Sequence, residues 1–251
     1  MSPLTTSLSI WALLVAGALG GAMLRRWLPE HHLDTHAKDI VRLGCALIAT
    51  ISGLVLGLLI NSANTSFNAQ RDEIRQLAAN VILIDQSLGQ YGPGAREARQ
   101  QLRQAIPAIV GRLWSDGAAK AGAMPFSGSG AGEAAYRAVR ALKPADDEQR
   151  FFQAQALQTL TQVAQTRFIL FEQSSGSIPT PFLVVLVFWL MLLFTSFSLF
   201  SPMSPAAFGA LVLIALSASG AIFLILEMYS PFNGMMQLDS EPLRNALAPL
   251  A

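Results

Sequence analysis

Few residues in this chain are equipped for chemistry. All three histidines, His31, His32 and His36, fall in one stretch, RRWLPEHHLDTHAKDIVR, with Glu30, Asp34 and Asp39 beside them. Imidazoles and carboxylates this close have the ligand chemistry of a divalent-metal site. Their spacing matches no established metal motif, and a polar loop at a membrane surface is the competing reading. A second group is Asn61, Asn64 and Asn68, spaced roughly i, i+3, i+7, which sets three amides near one helical face. They would line a polar mouth or serve as ordinary interfacial amides. Glu227 is the third candidate, an acid closing an apolar run, and acids at the edge of hydrocarbon are commonly functional or paired. No GxSxG, P-loop, HExxH or CxxC pattern occurs. The expectation is a non-enzyme without a cofactor.

Composition says what must hold these groups. Of 251 residues, 52% are apolar and only 13% charged, against about a quarter charged in soluble domains. The deficit is local, because charges crowd between Arg71 and Glu172. A net charge of +1 gives no reason to expect nucleic acid. The single cysteine, Cys45, lies in an apolar run, so no intrachain disulfide can form.

The first apolar core, SLSIWALLVAGALGGAML, is about 18 residues, near the lower limit for spanning a bilayer. A signal peptide fits poorly, since the basic residues Arg25 and Arg26 follow the run instead of preceding it. Gly17 and Gly21 form a GxxxG pair, a spacing that lets helix backbones approach closely. Leu43 to Gln70 carries no ionisable side chain except Cys45, and Gly53 and Gly57 repeat the glycine spacing. Beyond it Phe67, Ile74, Val81 and Leu88 recur every seven residues, with Leu77 and Ile84 between them and Gln70 breaking the series. This is an a/d seam for helix packing. No proline interrupts Leu43–Gln90, so one helix is expected to leave the membrane and continue as an amphipathic helix. Asp85 borders the seam and reads as a solvated flank, with pairing to a basic residue of a partner helix as the alternative.

Tyr91-Gly92-Pro93-Gly94 is a turn, and a helix over 95–114 follows, kinked or divided at Pro107. Ser115 to Gly132 reads as a flexible loop, with a short helix over 133–142. Asp146 is placed to cap a Gln-rich helix over 147–174. PFLVVLVFWLMLLFTSFSLF and the run 206–228 are two further membrane segments joined tightly through Ser201–Pro205. In the tail Ser240 is placed to cap a short helix. The predicted class is all-α: four membrane helices, with a helical extramembrane domain between the second and third. The expected layout is membrane helices 1 and 2 over 1–63, that domain over 64–177, membrane helices 3 and 4 over 178–229, and a tail over 230–251.

LPEHHL, VRLGCALIATISGLVLGLLINSANTSFNAQRDEI, LAANVILIDQSLGQYGPGA, LILEMYSPFNG and EPLRNAL together resemble the bacterial bestrophin-like family, a domain of unknown function. The resemblance covers almost the whole chain, and SFNAQR is its most specific part. Relatives often carry Lys and Asp where this chain has Asn64 and Asn68, and Asp-Arg where it has Tyr229-Ser230. The resemblance implies a likeness to bestrophins, pentameric anion channels with four membrane helices per subunit and a helical domain in the cytoplasm. Basic residues in short loops also set orientation. The first connection holds Arg25, Arg26, Lys38 and Arg42, the second none, which would put the domain outside. The two lines of reasoning leave the side open.

The expected protein is thus a multi-pass homo-oligomer of the bacterial inner (plasma) membrane, with the lipid bilayer and a small anion as partners and no nucleic acid. Its function reads as an anion channel lined by the second membrane helix, with Ile60, Asn61, Asn64, Phe67 and Asn68 at the pore or its constriction. The alternative is a non-conducting scaffold or sensor that binds a partner protein through the helical domain.

Overall fold

The computed structural model describes residues 2–27, 35–115, 130–174, 180–200, 204–232 and 234–246. These residues are mostly helical, with no strand among them. The helices are α1 (Pro3–Trp27), α2 (Thr35–Tyr91), α3 (Arg96–Ser115), α4 (Gly130–Arg140), α5 (Asp147–Ser174), α6 (Thr180–Phe200), α7 (Pro205–Met228) and α8 (Glu241–Asn245). Four of them, α1, α2, α6 and α7, are long and apolar enough to cross a membrane. At most a third of each apolar window is buried by this chain, so their outer faces require another apolar environment.

The helices reach further than the sequence suggested. Arg25 and Arg26 close α1, and α2 begins at Thr35, so most of the described part of the expected first connection is helical. At 57 residues α2 is roughly 85 Å long. Pro107 does not divide α3. Both Pro107 and Arg103, whose carbonyl loses its helical donor, are exposed, so water can satisfy that group. Helix α4 starts at Gly130, earlier than expected, with Glu133 in its first turn where the helix dipole favours an acid. Most of the expected loop over 115–132 lies outside the described residues.

The chain forms two compact units. The first comprises Met1–Thr65 and Ser177–Tyr229, the second Ser66–Gly176 and Ser230–Ala251.

In the first unit, α1 packs on α6 and α7. Gly17 faces Met191 and Thr195, and Gly21 faces Thr195 and Ser198, so α1 and α6 run in the same direction. A Cβ on Gly21 would overlap the Thr195 carbonyl oxygen and reach Ser198 Cβ at 3.0 Å. The Thr195 hydroxyl donates to Met191 O at 2.8 Å and lies 3.2 Å from Gly17 O. On the other side, the buried Ser219 hydroxyl donates to Ser7 O at 2.6 Å, tying α7 to α1. The core combines Leu14 and Ala18 of α1, Leu59 and Ala63 of α2, Leu186 and Phe194 of α6, and Ile222 and Ile225 of α7.

In the second unit the heptad seam is spent on a core. Ile74, Leu77, Val81, Ile84 and Leu88 of α2 are buried with Leu102 and Ile106 of α3, Val139 of α4, and Ala156, Leu160, Val163 and Leu170 of α5. Gln70 is buried despite breaking the pattern, and its Oε1 has no hydrogen-bond partner. Asp146 caps α5 as expected: its Oδ1 accepts from Gln149 N at 2.7 Å, while Gln149 Oε1 accepts from Ala145 N at 2.9 Å. The tail completes the core with Phe232, Leu238, Leu243 and Ala246. Ser240 occupies the N-cap of α8 without using its side chain. Asp239 supplies the oxygen instead, accepting from Glu241 N at 2.8 Å.

Candidate functional site

The candidate residues come from α2, and its exposure pattern sorts them. Leu43, Leu47, Leu54 and Leu58 are exposed along its apolar half. Asn61, Asn64 and Asn68 are exposed at the following turns, and Ile60 sits at the margin of exposure, at 38%. An amide offers two N–H donors and a carbonyl acceptor without fixed charge. A row of them can replace part of an ion's hydration without binding it tightly.

Phe67 departs from this group. It is half-buried against the core of the second unit, with Ile74 one heptad further along. Its ring therefore packs within this chain. Seven-residue spacing in the sequence had already aligned Phe67 with the seam.

The two glycine pairs also part company. Gly17 and Gly21 pack against α6 within the chain, but a Cβ at Gly53 or Gly57 would meet nothing within 4 Å. Those two glycines lie on open surface of α2. Cys45 is a free, buried thiol. Glu227, in the last turn of α7, is buried. Close to it in sequence, the Tyr229 hydroxyl lies 3.2 Å from the Ser62 hydroxyl, linking the end of α7 to α2.

His31 and His32 lie outside the described residues. His36 lies in the first turn of α2, and its side chain is likewise outside them. Among the described residues no three His, Cys, Asp or Glu side chains gather as a metal site would require.

Asp85 takes a basic partner from another helix, the lesser of its two sequence readings. Asp85 is buried, and Arg99 of α3 reaches it with Nε at 2.6 Å from Oδ1 and Nη2 at 2.8 Å from Oδ2. The hydrogen bond that Arg99 donates to Asp85 raises the Arg99 pKa above its ordinary value, burial opposing it. The i+14 separation across a turn carries no local sequence signal.

A helical chain with four bilayer-length apolar helices, two of them closely packed through glycine, is a membrane protein by class. The family can be stated as well: the Bestrophin-like domain family model matches residues 12–243, and the chain belongs to that family. No curated protein and no solved structure matches it.

Proposed function

We propose that the protein is a multi-pass homo-oligomer of the bacterial inner membrane that conducts small anions along α2. The second unit lies outside the bilayer. The carrying observation is the exposed face of α2, which turns from Leu54 and Leu58 to the amides of Asn61, Asn64 and Asn68. Lipid has no use for amides, and a water-filled path lined by uncharged donors does. Family membership supports the same reading.

Purified protein in liposomes should pass chloride. Replacing Asn61, Asn64 and Asn68 together with Ala should change flux or anion selectivity by about fivefold or more, the worth of a single hydrogen bond. Stable oligomers that pass no anion would refute the channel.

The scaffold reading has lost part of its ground. The seam that suggested a protein partner is buried in the second unit, and Gln153 is spent on Val139 O and Leu142 O, both at 3.0 Å. Gln155, Gln158, Gln162 and Gln165 remain exposed and are the surface that reading would use.

A further inference from the structure

Helix α5 has two faces of different kinds. One holds Ala156, Leu160, Val163 and Leu170 in the core of the second unit. The opposite face carries Phe151, Gln155, Gln158, Gln162, Gln165 and Ile169, all exposed. Their spacing alternates between four and three residues, the interval of a seam by which one helix meets another. No side chain from Phe151 to Thr166 is charged.

Solvent does not account for this face. Helix faces turned to water carry charge, as the other long helices of the unit do, with Arg71, Asp72 and Arg75 exposed on α2 and Arg96, Glu97 and Arg103 on α3. Helix α5 instead exposes three large apolar side chains, Phe151 at 64%, Phe168 and Ile169. Ala154, Thr161 and Ala164 lie beside the glutamines and are too short to hold a neighbouring helix away. Charge stands at the edge of the row, in the Asp147–Arg150 pair. A neutral centre with aromatic groups and a charged rim is the anatomy of a protein interface. Lipid would strip the amides of water and return no hydrogen bond.

Charge and hydrogen-bonding capacity decide the partner. The row offers no charge to select a charged protein. Each glutamine amide both donates and accepts, so a row of them complements an identical row. The row also reads alike from either end: an apolar residue, four glutamines, an apolar residue. A patch that matches itself is what a two-fold contact between copies requires. We propose that this row of α5 is the contact with a second copy of the chain in the same membrane, glutamine against glutamine about a two-fold axis. Confinement to one membrane keeps the copies at high local concentration, so a short row suffices. The inference rests on the homo-oligomer reading above and is independent of anion conduction.

Cross-linking of the full chain in native membranes with a short bis-maleimide tests the contact. Thr161→Cys, exposed at the middle of the row, should yield a species of twice the chain mass. The parent, whose one thiol Cys45 is buried, and Gln100→Cys, exposed on α3, should not. Adding Gln158→Glu and Gln162→Glu to the Thr161→Cys chain sets like charges against each other and should lower the yield about tenfold or more. Adding Gln158→Lys and Gln162→Lys should do the same. Co-expressing the Glu-bearing and Lys-bearing chains should restore the yield, which a loss of folding could not. Light scattering of the purified parent separates the two levels of the argument. A monomeric parent would overturn the homo-oligomer and this contact together. An oligomeric parent whose Thr161→Cys variant does not cross-link, links as weakly as Gln100→Cys, or links only to a different protein would overturn the contact alone.

Discussion

Arg99 closes on Asp85 with two parallel hydrogen bonds across the turn between α2 and α3, and only 10% of the Asp85 side chain remains exposed. Removing Arg99 leaves the buried Asp85 carboxylate without its counterpart. Arg99→Ala should therefore destabilise the second unit by about 2–4 kcal/mol. Replacing both residues with Leu should cost less than Arg99→Ala alone. Thermal unfolding of the single and double variants checks both statements.

The same glycine motif predicts opposite outcomes at two places. Gly21→Leu should disrupt the α1–α6 contact and lower the melting temperature sharply, because even a Cβ overlaps the Thr195 backbone. Gly53→Leu should leave the isolated chain folded, since nothing lies within 4 Å. If copies assemble through α2, Gly53→Leu should instead shift the oligomer towards monomer in size-exclusion chromatography with light scattering.

Capping of α5 offers a smaller, local effect. Asp146→Ala removes the acceptor for Gln149 N and should cost about 1 kcal/mol. Gln149→Ala should cost at least as much, because the same side chain also donates to Tyr91 O at 3.2 Å. Hydrogen exchange should show fraying confined to the first turns of α5.

Trp114 binds the tail to α3. Its Nε1 donates to Leu238 O at 2.7 Å, and its ring meets Phe232 edge to face at 5.6 Å. Trp114→Phe keeps most of the ring packing and should cost about 1 kcal/mol. Trp114→Ala should cost about 3–5 kcal/mol. Limited proteolysis should then release the tail earlier in the Ala variant than in the Phe variant.

Periodicity made the helices legible. The uncharged run after Leu43, followed by a seven-residue repeat without proline, marked one long helix, and α2 spans Thr35–Tyr91. The repeat also identified buried residues, because a side chain's face on a helix follows from its number. Partners across a turn follow no such rule. Arg96, Arg99 and Arg103 all lie within reach of a sequence-based guess for Asp85, and it is Arg99 that pairs with it. GxxxG tells which backbone can approach another, not which helix arrives. Hence Gly17–Gly21 and Gly53–Gly57 read alike and end in different surroundings. The heptad position of Phe67 likewise agrees with its packing against the core of the second unit.

The bond between Trp114 and Leu238 joins residues 124 positions apart. At ribosomal rates of about 5–20 residues per second, roughly 6–25 s separate the synthesis of the two. During that interval α3 exists without the strap that covers it, while α6 and α7 are being made. The last core residues, Leu243 and Ala246, emerge after both of those apolar helices. Biogenesis therefore has an order built into it: the second unit waits for the membrane segments before its own interior can close. A chaperone that shields Trp114 and Ile106 during this wait would act on a vulnerability that the finished protein no longer displays.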